Sequence, residues 1–465
     1  MTLNKQDSFY KNLLALAIPI ALQNMLVSSA HLVDTAMIVS LGNVATSAVG
    51  VANRWSFLIN LVLFGFMSGS SVMISQYWGA KEKENIQRTY GIALACAMLL
   101  SFVYMLAVLA APTQLLRVFT DEAEVIEEGV KYIRILCLGS VLNAYNAVTS
   151  SARRATEDVR VPLVVSVSST LVNMVLNYIL IYGHFGFPRL GVRGAAYATL
   201  ISIALQSAAF LLIGAKQKHF TFASPKRLLD IEKHFAAKYF KLAAPVIFNE
   251  TLWAVCTNVY IMIFARRGSE NYAAYTVFNS VEQLGFSFFV GVCNACAIMV
   301  GKRIGAGESR AGYDTAKRCL RITPIMAIFV GALLIAVRNP ILSLLNIETE
   351  GARAMASRLL LFYGCWLAMR MIPYTSVVGI FRAGGDSKTG FYIDVLVMMF
   401  WSIPVVMLLE YILHAPFLWL VCGMYIAEDT VKSFFSILHF RSRKWIKPLT
   451  MSGQNAMDME LMEEN

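Results

Sequence analysis

Apolar residues run along this chain in blocks of twenty or more, separated by short polar stretches, and the blocks recur almost to the end. About 20 apolar residues let a helix cross a bilayer, so each block predicts one transmembrane helix. The blocks fall near 13–38, 46–78, 88–112, 128–152, 160–183 and 192–215, then near 240–265, 272–303, 316–338, 354–381, 389–413 and 415–438. That gives twelve predicted spans in two sets of six. The blocks at 46–78 and 272–303 are longer than a straight crossing needs, which predicts tilt or bending there. The predicted organisation is an N-lobe over 1–215, a linker over 216–237, a C-lobe over 238–445 and a flexible tail over 446–465, acidic and frayed from Met451 on.

The second set repeats the first. Gly79, Ala80 and Glu82 recur as Gly305, Ala306 and Glu308 at an offset of 226 residues. The same offset carries Pro19 onto Pro245 and Asn53 onto Asn279, and at 228 residues the segment Arg154–Asp158 recurs as Arg382–Asp386. Six spans separate the copies, so both insert in the same sense. The expected fold is therefore an all-α integral membrane protein of twelve transmembrane helices in two pseudo-symmetric six-helix lobes, parallel repeats with a cavity between them. Duplicated bundles of this kind are typical of secondary transporters.

Composition agrees with the pattern: hydrophobic residues make up 57% of the chain and charged residues only 15%, where a soluble domain carries about a quarter. The net charge of +11 does not point to nucleic acid, because the basic residues sit in short loops between apolar blocks. Most lie on one side, including Lys81, Arg154, Lys302, Arg382 and the cluster Arg441, Arg443, Lys444 and Lys447, whereas Asp121, Glu122, Glu124, Glu127 and Glu128 fall on the other. The positive-inside rule then predicts that both termini face the cytoplasm. The first apolar block contains Asp34 and follows no cleavage site, so it reads as a span rather than a signal peptide. Cys293 and Cys296 have a CxxC spacing but lie in an apolar block, whereas metal sites need a hydrated, polar second shell, and they read as small packing residues.

A charge inside a bilayer is costly, so ionisable residues within the spans are the functional candidates. Asp34 lies in span 1 one turn beyond His31, fifteen residues after Pro19, which removes a helix hydrogen bond and permits bending. Such a carboxylate either binds H⁺ or Na⁺ and couples occupancy to conformation, or sits hydrated at the outer boundary. In span 5, Asn173 and Asn177 share one helix face and would offer carbonyl oxygens to a hard cation beside Asp34, or bond helix to helix. Thr199 in span 6 would add a hydroxyl. Glu250 follows Pro245 by five residues and suits a cationic substrate or a second proton, or else pairs with a neighbour such as Asn279. Glu282 and Arg54 follow Asn279 and Asn53 and would either pair with each other or serve a site. Asp394, Glu428 and Asp429 fall near span ends, where hydration explains them, and Asp158 and Asp386 beside arginines read as loop charge pairs. Pro19 and Pro245 are the expected hinges. No nucleotide-binding or hydrolase motif occurs in a credible context, which favours coupling to an ion gradient.

These residues together resemble the multidrug and toxic compound extrusion (MATE) family over about residues 10–445. The carriers are the repeated Gly-Ala-x-Glu ends of spans 2 and 8, the pairing of Pro19 with Asp34, the segment from Gly183 to Thr199, and the segment from Phe381 to Asp386. The resemblance implies two six-helix lobes, alternating access, and export of organic compounds in exchange for H⁺ or Na⁺. It also implies that Asp34, Asn173 and Asn177 form an N-lobe cation site, including for Na⁺, and that Glu250 is the C-lobe acid. Two positions depart from the family: Met371 stands where one branch carries an acid in span 10, and Asn177 where many relatives have Asp.

The expected function is a secondary antiporter exporting cationic or amphipathic drug-like compounds, with no catalytic residue, no cofactor beyond the coupling ion, and no nucleic-acid partner. A monomer in the plasma membrane, the inner membrane of a bacterium, is expected, in contact with lipid and small molecules. A flippase for a lipid-linked glycan is the rival within transport and would favour a more cationic cavity. An intramembrane enzyme would need paired catalytic groups at depth, for which only His31 and Asp34 qualify, and a non-transporting scaffold would have no use for isolated carboxylates.

Overall fold

The structure, a computed structural model, describes residues 3–222, 232–344 and 349–464; the linker positions 223–231 lie outside the described residues. Among the described residues all regular structure is helical. The first half contains α1 (Leu3–Val39), α2 (Asn43–Gly79), α3 (Lys83–Ala110), the short α4 (Pro112–Arg117), α5 (Ala123–Leu138), α6 (Ser140–Ala155), α7 (Arg160–Tyr182) and α8 (Val192–Gln217). The second contains α9 (Lys233–Ala265), α10 (Ser269–Gly305), α11 (Ser309–Leu344), α12 (Glu350–Phe381), α13 (Ser387–Ile412), α14 (Phe417–Arg441) and α15 (Met451–Glu464).

Ten of these helices are long and apolar enough to cross a membrane by length and composition alone. The other two of the twelve spans are instructive. Span 4 is the pair α5–α6, interrupted at Gly139 between them. Span 12 is α14, which carries Glu428, Asp429 and Lys432 buried on its inner face. Both hold more polar residues than a lipid-facing helix tolerates: α14 buries its charges, α6 buries Asn146, Thr149, Ser150 and Arg153, and α5 keeps Glu124, Glu127 and Arg134 exposed. The 37-residue helices α2 and α10 extend about 55 Å at 1.5 Å per residue, well beyond a ~30 Å hydrocarbon core. Past Pro373, which has no N–H to donate, α12 continues in wide π-type turns from Thr375 to Phe381, and α13 is π-wound at Tyr392–Leu396, where Asp394 sits.

The chain forms two compact units. One consists of Leu22–Ile74 and Glu82–Ala243, with an apolar core that includes Ile38, Val49, Ile133, Ile181 and Ala196. The other consists of the described parts of Met1–Ala21, Ser75–Lys81 and Ala244–Asn465, around Phe264, Phe278, Phe289, Tyr363 and Leu367. Large apolar side chains such as Leu212, Phe329, Phe400 and Phe434 point outward, as a lipid-solvated surface requires. Two of the four unit divisions, at Ala21/Leu22 and at Ala243/Ala244, fall beside the repeat-related prolines Pro19 and Pro245.

Within the second unit the end of α2 crosses the end of α10 at backbone contact. A methyl group on Gly79 would strike the Lys302 carbonyl, and one on Gly305 the Gln76 carbonyl. The repeated glycine is therefore a steric necessity at this crossing. The segment expected to be a frayed acidic tail forms α15, and the chain leading into it is tied down. Trp445 is fully buried, the Leu449 amide donates to Gln76 Oε1 (2.8 Å), and the Thr450 hydroxyl donates to the Gly305 carbonyl (2.7 Å). That last bond satisfies an end carbonyl that α10 itself leaves unpaired.

A candidate cation and substrate cavity

The unit built from Leu22–Ile74 and Glu82–Ala243 encloses a cavity of about 950 Å³. Helices α1, α2, α3, α5, α6, α7 and α8 all contribute to its wall, and Asp34 is the one carboxylate among the lining residues. Its volume is that of a drug-sized ligand site.

Four of the sequence candidates meet here in one hydrogen-bonded line. Asn177 Nδ2 donates to Asp34 Oδ1 (2.7 Å) and to Asn173 Oδ1 (3.2 Å), and Asn173 Nδ2 donates to Thr199 Oγ1 (3.4 Å). Thr199 in turn donates to the Ala195 carbonyl (3.0 Å). The spacing of Asn173 and Asn177 on α7 turns both amides toward α1 and α8, where they are 8% and 2% exposed. Asn177 Oδ1 is buried and accepts no hydrogen bond. An orphaned carbonyl oxygen next to a carboxylate is the arrangement a desolvated hard cation or a proton would relieve, so the residues fit the coupling role assigned to them.

The cavity has a second polar cluster. Gln23 on α1 donates to Ser166 Oγ (2.8 Å), and Arg154 Nη1 at the end of α6 donates to Ser150 Oγ (2.8 Å) and Gln23 Oε1 (3.3 Å). Sequence reading placed Arg154 among the loop cations; the structure turns it into the cavity wall. The partner of the loop aspartate is Arg153, buried in the last turn of α6, whose Nη1 reaches Asp158 at 2.6 Å.

The unit built on Ala244–Asn465 treats its charges differently. Glu250 accepts from Arg382 (2.9 Å), while Asn279 accepts only from its helix neighbour Gln283 among the described bonds. Glu282 accepts from the Tyr425 hydroxyl (2.6 Å) and faces Arg370 (3.2 Å), so its arginine is Arg370 and not Arg54. Asp394, Glu428 and Asp429 are not hydrated at span ends. Lys432 bridges Asp394 and Glu428, Asn249 donates to Asp394 (3.1 Å), and Trp366 Nε1 donates to Asp429 (3.0 Å). Glu428, Asp429 and Lys432 are 8%, 3% and 4% exposed. Arg370 and Lys432 escaped the sequence reading. The signal was present, since each is a cation inside an apolar block and Lys432 follows Glu428 by one helical turn.

In the loop after α12, Asp386 takes the His439 ring (2.9 Å) and Lys447 (2.8 Å) rather than its neighbour Arg382. Burial works to raise its carboxyl, but the bonds from His439, Lys447 and the Thr389 amide outweigh it and hold the group well below the usual range. Cys293 and Cys296 are buried, and no cluster of three metal-ligating side chains occurs among the described residues.

The MatE family model matches residues 19–179 and 245–408, one stretch in each repeat. A probable multidrug resistance protein, YoeA, of Bacillus subtilis is 29% identical over 74% of this chain and 75% of its own length. The probable multidrug resistance protein NorM of Thermotoga maritima is 22% identical over 97% of this chain and 96% of its own. A MATE crystal structure in the bent conformation superposes with a TM-score of 0.83 at 17% identity, over 98% of this chain and 97% of that one. An outward-facing multidrug resistance MATE transporter of the MOP superfamily superposes at 0.81 and 18% identity, over 93% and 95%.

Proposed function

The chain belongs to the MatE family of membrane transporters, and on that premise we propose that it is an antiporter that exports organic compounds in exchange for H⁺ or Na⁺. The observation that carries the reading is the line from Asp34 through Asn177 and Asn173 to Thr199, set in the wall of a cavity of drug-like volume.

Asp34 has no lysine or arginine in ion-pair reach among the described residues, and the amides beside it supply both donors and an unclaimed carbonyl. Proton or Na⁺ uptake neutralises the carboxylate and changes which of those bonds it accepts, and so changes how α1 is held against α7. A ligand shifts a conformational equilibrium only by its differential affinity for the two states. The cation therefore favours the arrangement in which Asp34 is best desolvated, and amphipathic or cationic substrate leaves as the cation enters. Pro19 and Pro245 are the natural bending points of α1 and α9. The lobes at 1–215 and 238–445 are the moving bodies, with both termini in the cytoplasm and the protein monomeric in the plasma membrane. Glu250 and Glu282, each already paired with an arginine, serve to fix the C-lobe rather than to bind substrate.

The test is transport by inverted vesicles under an imposed Na⁺ or H⁺ gradient, against a panel of organic dyes. Wild type is expected to move dye with one of the two gradients. Asp34→Asn is expected to lower that flux at least tenfold at normal expression, and undiminished transport by this variant would defeat the mechanism.

A further inference from the structure

Arg154 and Asp34 are the two opposite charges of the cavity. Arg154 is the one lysine or arginine among the lining residues, and no carboxylate lies in ion-pair reach of it among the described residues. Its bonds go only to neutral oxygens, on Gln23 and Ser150, and both use the same nitrogen, Nη1. Among the described residues no protein group claims its other donors, and they are not buried unpaired atoms as donors of Arg153 and Arg382 are. Gln23 and Asp34 are eleven residues apart on α1, so the arginine end and the carboxylate end of the cavity are separated by about 16 Å along the helix.

A guanidinium in a nonaqueous wall normally meets a carboxylate, because its desolvation is otherwise uncompensated. The repeat shows what that compensation looks like. Arg382, the counterpart of Arg154, pairs with Glu250, whereas Arg154 meets the amide Gln23 on α1, and the offset of 226 residues puts Asn24, another amide, where Glu250 stands in the second copy. The chain thus carries the cation in both copies and its counter-ion in one. A planar fork with free donors, facing a cavity large enough for a drug-sized molecule, matches a carboxylate in shape and charge.

We propose that Arg154 anchors a substrate carboxylate, so that this cavity prefers amphiphiles bearing a free carboxylate over their neutral esters. The inference rests on the reading of the cavity as a transporter's substrate chamber, and it narrows the substrate from organic compounds in general to carboxylate-bearing ones. Gln23 and Ser150 hold the guanidinium in place, and Asp34 remains available at the far end for the coupling cation.

The experiment compares a rhodamine bearing a free carboxylate with its methyl ester. Binding of each dye to the purified full-length protein is read by fluorescence anisotropy, and movement of each by reconstituted vesicles under an imposed gradient. A charge-assisted hydrogen-bond pair predicts that wild type binds the acid about tenfold to a hundredfold more tightly than the ester. Arg154→Gln should bring the acid-to-ester ratio to near one, and Arg154→Lys should retain part of it. Gln23→Glu, which supplies the counter-ion present in the other copy, should also abolish the ratio while keeping the arginine. This last variant guards against a folding defect at position 154. A wild-type ratio near one, or a ratio unchanged in Arg154→Gln and Gln23→Glu, overturns the proposal. If wild type binds the acid preferentially but no gradient moves either dye, the carboxylate site stands and the antiport reading falls. If both dyes are transported without preference, antiport stands and the carboxylate site falls.

Discussion

Arg154 and Arg382 occupy the same place in the two copies of the repeat, yet they live in different electrostatic surroundings. Arg382 is buried and paired with Glu250 at 2.9 Å, whereas Arg154 lines a cavity and touches only an amide and a hydroxyl. The contrast extends through each half. The C-terminal copy closes its charges on one another, as Arg370 with Glu282 and Lys432 with Asp394 and Glu428. The N-terminal copy leaves Asp34 and Arg154 on the wall of an open volume. Buried charges that are paired specify packing, while charges kept apart around a cavity are free to meet a solute. The duplication conserved the backbone and redistributed its charges, which is how two similar bundles take on different work.

The largest effect should come from removing one partner of the closed pair. Glu250→Gln strands Arg382 in a dry environment, and breaking a buried pair from one side typically costs about 3–5 kcal/mol. Arg154→Gln removes only hydrogen bonds to neutral groups beside a cavity and should cost about 1 kcal/mol. Thermal unfolding of the two variants in one detergent checks this directly: the midpoint should fall several-fold further for Glu250→Gln. Equal falls would mean that Arg154 is as structurally committed as Arg382, and the comparison between halves would break.

The fold could be read from the chain because its two strongest signals are local and repeated. Blocks of about twenty apolar residues mark spans, α5–α6 and α14 among them, and the offset of 226 residues shows that one unit occurs twice. The line on α7 was legible for the same reason, since the positions of Asn173 and Asn177 on one face follow from spacing alone. Partners distant in sequence were not. Nothing near Arg154 announces that Gln23 will meet it, and nothing near Glu282 announces Arg370. The expected hydration of Asp394, Glu428 and Asp429 failed because the residues lie inside their helices, Glu428 and Asp429 at the middle of α14, on faces that turn toward Lys432 and Trp366 rather than toward water. Lys432, one turn beyond Glu428, makes burial affordable there.

A steric test sharpens the comparison at a glycine that both copies keep. Gly79→Ala inserts a methyl group against the Lys302 carbonyl, and Gly305→Ala one against the Gln76 carbonyl. Neither backbone can retreat without parting the crossing, so each substitution should cost about 1–3 kcal/mol. Gly285, by contrast, has open space where its Cβ would lie, and Gly285→Ala should be neutral or stabilising. Unfolding midpoints of the three variants read the difference, and a harmless Gly79→Ala would show that the repeated glycine answers to something other than packing.

A smaller effect than that of Glu250→Gln concerns the repeated aspartate of the loops. Among the described residues Asp158 has a single ion pair, with Arg153, and its side chain is 28% exposed; Asp386 is 2% exposed and held by His439, Lys447 and the Thr389 amide. The folded state therefore depresses the Asp386 carboxyl below its ordinary value. A depressed carboxylate binds fewer protons folded than unfolded, so its stabilisation is present at neutral pH and disappears as pH falls below about 4. Asp386→Asn should accordingly lower the unfolding midpoint at pH 7 by the equivalent of about 1–2 kcal/mol, more than Asp158→Asn does. The gap between wild type and Asp386→Asn should close as the pH is taken below 4, while a gap that persists there would locate the stabilisation in side-chain packing rather than in the carboxylate charge.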